Sequence, residues 1–491
     1  MGPIQDEHGL EQGGLNSSDF YKLNSNSLLT STQKSQQGVN LGENLVISSI
    51  GLADDTVFAA NLLTCLWNIL YLAMIYCRKY GVTLCPTKTK LLRVSNVDKI
   101  DMETFNPIEI DGKEIKFSSV AEHVGILRSS DGNLPNLMNR IACHKKSLGA
   151  TLSVGLARNH RASPLVGLRV EQMYATPVLL SGLASLVLSE SELSLLDSHF
   201  KETTQNIQKL LAKTPRAVVY FLAGCLPLRA ILHLRQLTLF GMVARLDGDP
   251  LLIHARNILS RGKPSSKSWF WQIRDICLQY NLEHPLVILE NPPSKEKFKK
   301  TIKSHVINYW ENKLRSEASP LLSLSHFHPA FMSLTKPHPI WSSVGSNPYE
   351  VTKAIQQARF LSGRYRTENL ASHWSNNPNG YCQVQPCVTT VETVMHILVD
   401  CDSFIETRRN LCNLWLSCAD SNVLLLVVEA LSNSAEYFLQ FILDCSVLPS
   451  VIRATQLYGS SVLEQLFYLT RTWCYTIHRK RMKILGRWNF Q

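Results

Sequence analysis

Two adjoining carboxylates, Asp54 and Asp55, close the pentapeptide Gly51-Leu52-Ala53-Asp54-Asp55. The apolar run Leu45-Val46-Ile47-Ser48-Ser49-Ile50 comes before them and Thr56-Val57-Phe58 after. Apolar stretch, tight turn, apolar stretch predicts a β-hairpin with both acids at its tip. Like charges held side by side in an ordered turn repel and lose solvation, so they need a compensating cation. Mg²⁺ suits them, because hard divalent cations take oxygen ligands. Two such ions a few ångströms apart serve nucleotidyl transfer, one activating a hydroxyl and the other steadying pyrophosphate. The bland reading of the same dipeptide is a solvated turn.

The neighbouring segments narrow the choice. Upstream lies Gly9-Leu10-Glu11-Gln12-Gly13-Gly14-Leu15-Asn16-Ser17-Ser18-Asp19. Its glycines permit close backbone approach to a base or sugar, and Ser17, Ser18 and Asp19 can cap a following helix. Downstream lie Tyr80 to Leu92, containing Lys88, and Glu122-His123-Val124-Gly125-Ile126-Leu127. In this order the four segments resemble motifs B, C, D and E of the reverse transcriptases of non-LTR (LINE-type) retrotransposons.

The resemblance implies an α+β chain: a partial reverse-transcriptase palm over 1–130, then a helical thumb-like region over 131–260. A helical basic region (261–375) and a Cys/His element with a helical basic tail (376–491) follow. It implies an RNA-directed DNA polymerase, with an RNA template and a DNA primer as partners. Asp54 and Asp55 would ligate Mg²⁺ or Mn²⁺, Gln12, Gly13 and Gly14 would shape the nucleotide pocket, and Lys88 would approach the triphosphate. The family's third carboxylate sits on a strand before motif B. Only ten residues precede Glu11, and no apolar strand precedes Asp6 and Glu7. With two of three carboxylates the ions would be poorly coordinated, so this chain alone is expected to polymerise weakly or not at all. A non-catalytic RNA- or DNA-binding protein derived from such an element is the alternative.

A net charge of +11 favours a polyanionic partner, and Lys/Arg-rich stretches lie at 78–99, 140–161, 295–315 and 471–487. Thirteen cysteines without a regular framework, and a polar, acidic N-terminus, point to a reducing interior: nucleus, cytoplasm or both. Val57 to Cys77 is uncharged over 21 residues, long enough to span a bilayer. Its polar residues Asn61, Thr64 and Asn68 share one helical face, which predicts an amphipathic helix packed on a sheet rather than a membrane segment.

Beyond the palm-like part, Lys145, Lys146, Arg158 and Arg161 fall where the resemblance places a thumb, which grips duplex phosphates without reading sequence. Trp269 and Trp271 read as core anchors. Lys295, Lys297, Lys299, Lys300 and Lys303 share a predicted helix with Phe298, Ile302, Val306 and Tyr309, giving a basic outer face. Cys382, Cys387, His396 and Cys401 follow the spacing Cys-x4-Cys-x8-His-x4-Cys, a ligand set for tetrahedral Zn²⁺. The set resembles the Cys-Cys-His-Cys element near the C-terminus of LINE-type polyproteins, although its first gap is longer. A cluster of buried thiols beside one histidine is the metal-free reading. In the tail, Arg479, Lys480 and Arg481 lie among aromatics in a stretch without acids. Single-strand binding, a nuclear-localisation patch and a solvated helix end all fit that pattern.

Overall fold

A computed structural model of the chain describes residues 17–42, 45–52, 55–94, 108–110, 112–153, 163–261, 268–372, 378–385, 387, 389–418 and 420–487. Helices dominate it, and the named strands all lie before residue 130. The α+β division therefore holds in coarse form. In place of one continuous palm-like sheet, the described strands make five separate two-stranded sheets.

The chain enters through helix α1 (Ser17–Lys34), followed by strands β1 (Val39–Asn40) and β2 (Val46–Ile47), which pair antiparallel. Next come β3 (Ser49–Leu52) and β4 (Asp55–Phe58), then helix α2 (Leu63–Tyr80). On α2 the spacing of Ile69, Leu70, Ala73 and Cys77 gives one buried stripe, while Asn61, Thr64 and Asn68 are exposed. This is the amphipathic packing that the polar residues predicted.

Strand β5 (Leu91–Leu92) follows a turn, and β6 (Ile108–Ile110) pairs with β7 (Lys113–Ile115). β8 (Phe117–Ser118) runs parallel to β5. β9 (Val120–His123) and β10 (Ile126–Ser129) form a hairpin. A small core of Leu70, Ile108, Ile110 and Ile115, flanked by Phe58, Leu66 and Trp67, holds these pieces together.

After β10 the named elements among the described residues are helices, and they share one large core running from Leu137 to Ile477. That core crosses the boundaries expected near 260 and 375. Its main members are α3 (Leu134–Ser153), α4 (Glu190–Ile207), α5 (Arg216–Ala223), α6 (Leu228–Val243), α7 (Trp269–Gln279), α8 (Lys295–Ala318), α9 (Pro348–Leu361), α10 (Ala435–Asp444) and α11 (Ser460–Ile484).

α4 starts at a capping box: Ser189 accepts from the Glu192 amide while Glu192 reaches back to the Ser189 amide. Phe270 and Trp271 are buried and the Trp269 indole donates to the Ala184 carbonyl, so this aromatic trio anchors the core. On α8 the buried stripe is Phe298, Ile302, Val306, Trp310 and Leu314, with Tyr309 only half-buried. All five lysines from Lys295 to Lys303 are exposed.

The stretch Ala435–Tyr458 is long and apolar enough to cross a membrane by length and composition alone. Its helix is interrupted at Cys445–Val447, and most of it is buried in the protein core.

Candidate metal centre and acidic hairpin

The hairpin forms where the apolar runs predicted it. β3 and β4 pair antiparallel, with Leu52 opposite Asp55 as the last pair. Asp54 lies outside the described residues, as do Gln12, Gly13 and Gly14. Asp55 opens β4 and is exposed. α1 clamps the strand behind it. The Thr32 and Ser49 hydroxyls are hydrogen-bonded at 2.6 Å, and the Gln33 amide donates to the Val46 carbonyl and accepts from the Ser48 amide. Gly51 keeps this approach open, since a Cβ there would stand 3.2 Å from Leu29 Cδ1.

Lys88 lies in a tight turn in which the amides of Lys88 and Thr89 both donate to the Cys85 carbonyl. The turn joins α2 to β5, giving the expected helix–turn–strand order, and the Lys88 side chain is exposed. Lys145 and Lys146 are exposed on α3, whereas Arg158 and Arg161 lie outside the described residues.

The Cys/His element is the better-defined site. Cys382, His396 and Cys401 are all buried, and their ligand atoms lie within 4.8 Å of one another. The buried Cys387 thiol stands 3.8 Å from the Cys401 sulfur. Zn–S bonds of about 2.3 Å in a tetrahedron put two thiolates about 3.8 Å apart.

Local backbone bonds hold the four residues in place. The Cys382 amide donates to the Thr390 carbonyl, and the Cys387 amide to Val384. Tyr381 and Val391 form a bridge, and the Glu392 amide donates to Gly380. Gly380 has φ 62°, and a Cβ there would meet Asn369 Cα at 2.6 Å, so the loop needs glycine at this point. His396 begins a π-helical turn, His396–Asp400, closed by the Cys401 amide donating to the His396 carbonyl at 2.7 Å.

His396 Nε2 is buried without a hydrogen-bond partner. An unpartnered ring nitrogen beside three thiols is costly unless a cation or proton satisfies it. The thiols also polarise one another. Cys401 is held well below the ordinary thiol range by hydrogen bonds from Cys382 and His396, against the opposing effect of burial. Cys382 is pushed up by that same bond and by burial, and His396 is raised chiefly by Cys401. The downward shift at Cys401 favours its thiolate, the form that binds metal. The trio of Cys382, His396 and Cys401 could hold a metal ion, a donor set compatible with Zn²⁺, and Cys387 lies beside Cys401.

The tail corrects one sequence expectation. Arg481 does not offer its charge to solvent: it is buried, with Nε and Nη2 donating to Glu392 Oε1 and Oε2 at 2.9 and 2.6 Å. Arg471 is likewise internal, paired with Glu350 at 2.8 Å, and Trp473 is buried with its indole donating to the Leu398 carbonyl. Arg479 is exposed, and half-buried Lys480 donates to the Thr407 hydroxyl.

Two groups escaped the sequence reading. One is Glu392, whose carboxylate joins the tail to the Cys382 thiol, 3.9 Å from Oε1. The other is a buried relay in which His144 contacts His199 at 2.9 Å and Glu171 at 3.4 Å, while the Thr176 hydroxyl donates to Glu171. Neither has a spacing signal, because the partners that define them, Arg481 for Glu392 and His144 and His199 for the relay, lie 27 to 89 residues apart in sequence.

Compared with family models and with curated proteins, the chain shows no match.

Proposed function

We propose that this chain is related to the RNA-directed DNA polymerases of non-LTR retrotransposons and acts on nucleic acid. The supporting observation is the β3–β4 hairpin, in which Leu52 pairs with Asp55. The elements around it run in the order the reading requires: helix α1 after the Gln12-Gly13-Gly14 segment, α2 after the hairpin, then the turn bearing Lys88. Asp54 and Asp55 would hold Mg²⁺ or Mn²⁺, and Lys88 would face the triphosphate of an incoming nucleotide. Lys145, Lys146, Arg158 and Arg161 would contact the phosphates of the template–primer duplex. The Cys382, Cys387, His396 and Cys401 set would hold structural Zn²⁺, supported by the unpartnered His396 nitrogen.

The non-catalytic variant of this reading keeps the binding elements without the chemistry, and the basic side chains of Lys145, Lys146 and Arg479 are exposed. Primer extension on an RNA template, with Mg²⁺ and then Mn²⁺, decides between them. Synthesis that vanishes with Asp54→Ala plus Asp55→Ala establishes the polymerase. No synthesis, with template–primer still bound by both proteins, establishes the binding protein. Loss of both synthesis and binding in the unaltered chain refutes the relationship.

A further inference from the structure

The Cys/His loop and the end of α11 are joined by more bonds than a metal site needs. Glu392 lies between the second and third cysteines and clamps Arg481 with both carboxylate oxygens. Its Oε2 also accepts the Glu368 amide at 2.7 Å. Glu368 in turn accepts Arg487 at 2.7 Å, and Gln383, next to Cys382, accepts Arg487 at 3.2 Å. His478 meets the Tyr365 hydroxyl at 2.7 Å. The end of α11 and Arg487 just beyond it are thus held largely by residues 365–392, with Lys480 also donating to the Thr407 hydroxyl. Higher on α11 the anchors belong elsewhere: Arg471 to Glu350, and Thr470 to Gln357.

We infer that the Cys/His loop is a metal-dependent clamp on the basic end of α11, releasing Arg479 to Arg487 when the metal is lost. This rests on the metal reading given above. Between Tyr365 and Thr393 the loop has only the four-residue helix Glu368–Ala371 and the single Tyr381–Val391 bridge among its described residues. Little regular backbone structure fixes it, so the metal supplies much of its order. Glu392 carries that order outward, because its amide donates to the Gly380 carbonyl, two residues before Cys382, while its carboxylate holds the Arg481 guanidinium. Linkage is reciprocal: if metal favours the docked helix end, the docked end favours metal by the same factor.

Limited trypsin digestion of the full chain, zinc-loaded and after chelation, tests this, with metal content measured on each sample. Cleavage after Arg479, Lys480, Arg481, Lys483 and Arg487 is expected to speed up about tenfold on chelation, a change of the size outer-shell contacts produce in metal sites. Cleavage at the exposed Lys295 to Lys303 on α8, whose other face is buried in the large core, is expected to stay constant. Arg481→Met should expose the remaining tail sites even with zinc bound, and weaken zinc binding by about tenfold. Because that variant strands Glu392, the double variant Glu392→Gln with Arg481→Met removes both charges and should behave the same way. Zinc bound with unchanged tail cleavage overturns the clamp alone. An equal rise at the α8 sites overturns it too, since the metal would then support the whole fold. A chain that binds no zinc overturns both the clamp and the metal reading, whatever its nucleic-acid binding.

Discussion

Single side chains on α11 show how far charge can be read from a sequence. Arg471, Cys474, His478 and Arg481 recur at helical spacing on one face, and all four are buried. A stretch rich in cations and free of acids reads as solvated, yet its acids are supplied by Glu350, Glu368 and Glu392, far away in sequence. The cysteine spacing was legible because all four residues lie on one short segment. The inward arginines were not, because only the tertiary fold names their partners.

His233 makes the same point for pH. It is buried with Nδ1 against the Tyr280 hydroxyl at 2.8 Å, and burial, aided by Arg229, pushes its pKa down to about 3. The unfolded chain, with an ordinary histidine value near 6.5, binds the proton more readily over the interval between. Stability is therefore full above about pH 6.5 and falls as the pH drops toward 3. In urea melts across that range, His233→Gln should start less stable at pH 7 and show a shallower acid decline. An unchanged slope would show that His233 does not carry the acid sensitivity.

At the scale of elements, the β9–β10 hairpin illustrates a local rule broken. Its two-residue turn is Val124-Gly125, with φ 52° and 70° respectively, the left-handed pair of a type I′ turn. Glycine suits the second place, but a β-branched residue at positive φ costs on the order of 1–2 kcal/mol. Val124 is 47% exposed, so little packing offsets the strain. Val124→Asn should raise stability by about 1 kcal/mol, read from chemical denaturation midpoints at constant m-value. A lower midpoint would mean that Val124 makes contacts worth more than its backbone strain. In the sequence this segment was marked only by its resemblance to motif E, whereas β3–β4 was legible from the apolar runs on either side of the acidic pair. The separation of the strands into five small sheets was not, because strand partners are chosen by long-range packing that short apolar runs do not encode.

At the scale of the whole molecule the two cores differ greatly in size. The large one gathers buried side chains from Leu137 to Ile477, including Trp310, Trp341, Trp415 and Trp473. The small one rests on Leu70, Ile108, Ile110 and Ile115, with Trp67 partly buried beside it. Hydrophobic stabilisation scales with apolar area removed from water, so the N-terminal unit has far less to set against its conformational entropy. Two unfolding steps follow, with the small core melting first and with the smaller m-value, since less surface is exposed.

Trp67 makes this measurable, being the only one of nine tryptophans before Trp269. The fluorescence difference between the unaltered chain and Trp67→Phe should change at lower urea than the far-ultraviolet ellipticity, which α3 to α11 dominate. Coincident transitions would show that the β9–β10 hairpin, packed against α3, locks both cores into one cooperative unit. The two-step outcome would instead leave the acidic hairpin on the less stable part of the protein, where bound metal ions or nucleic acid would raise its midpoint by mass action.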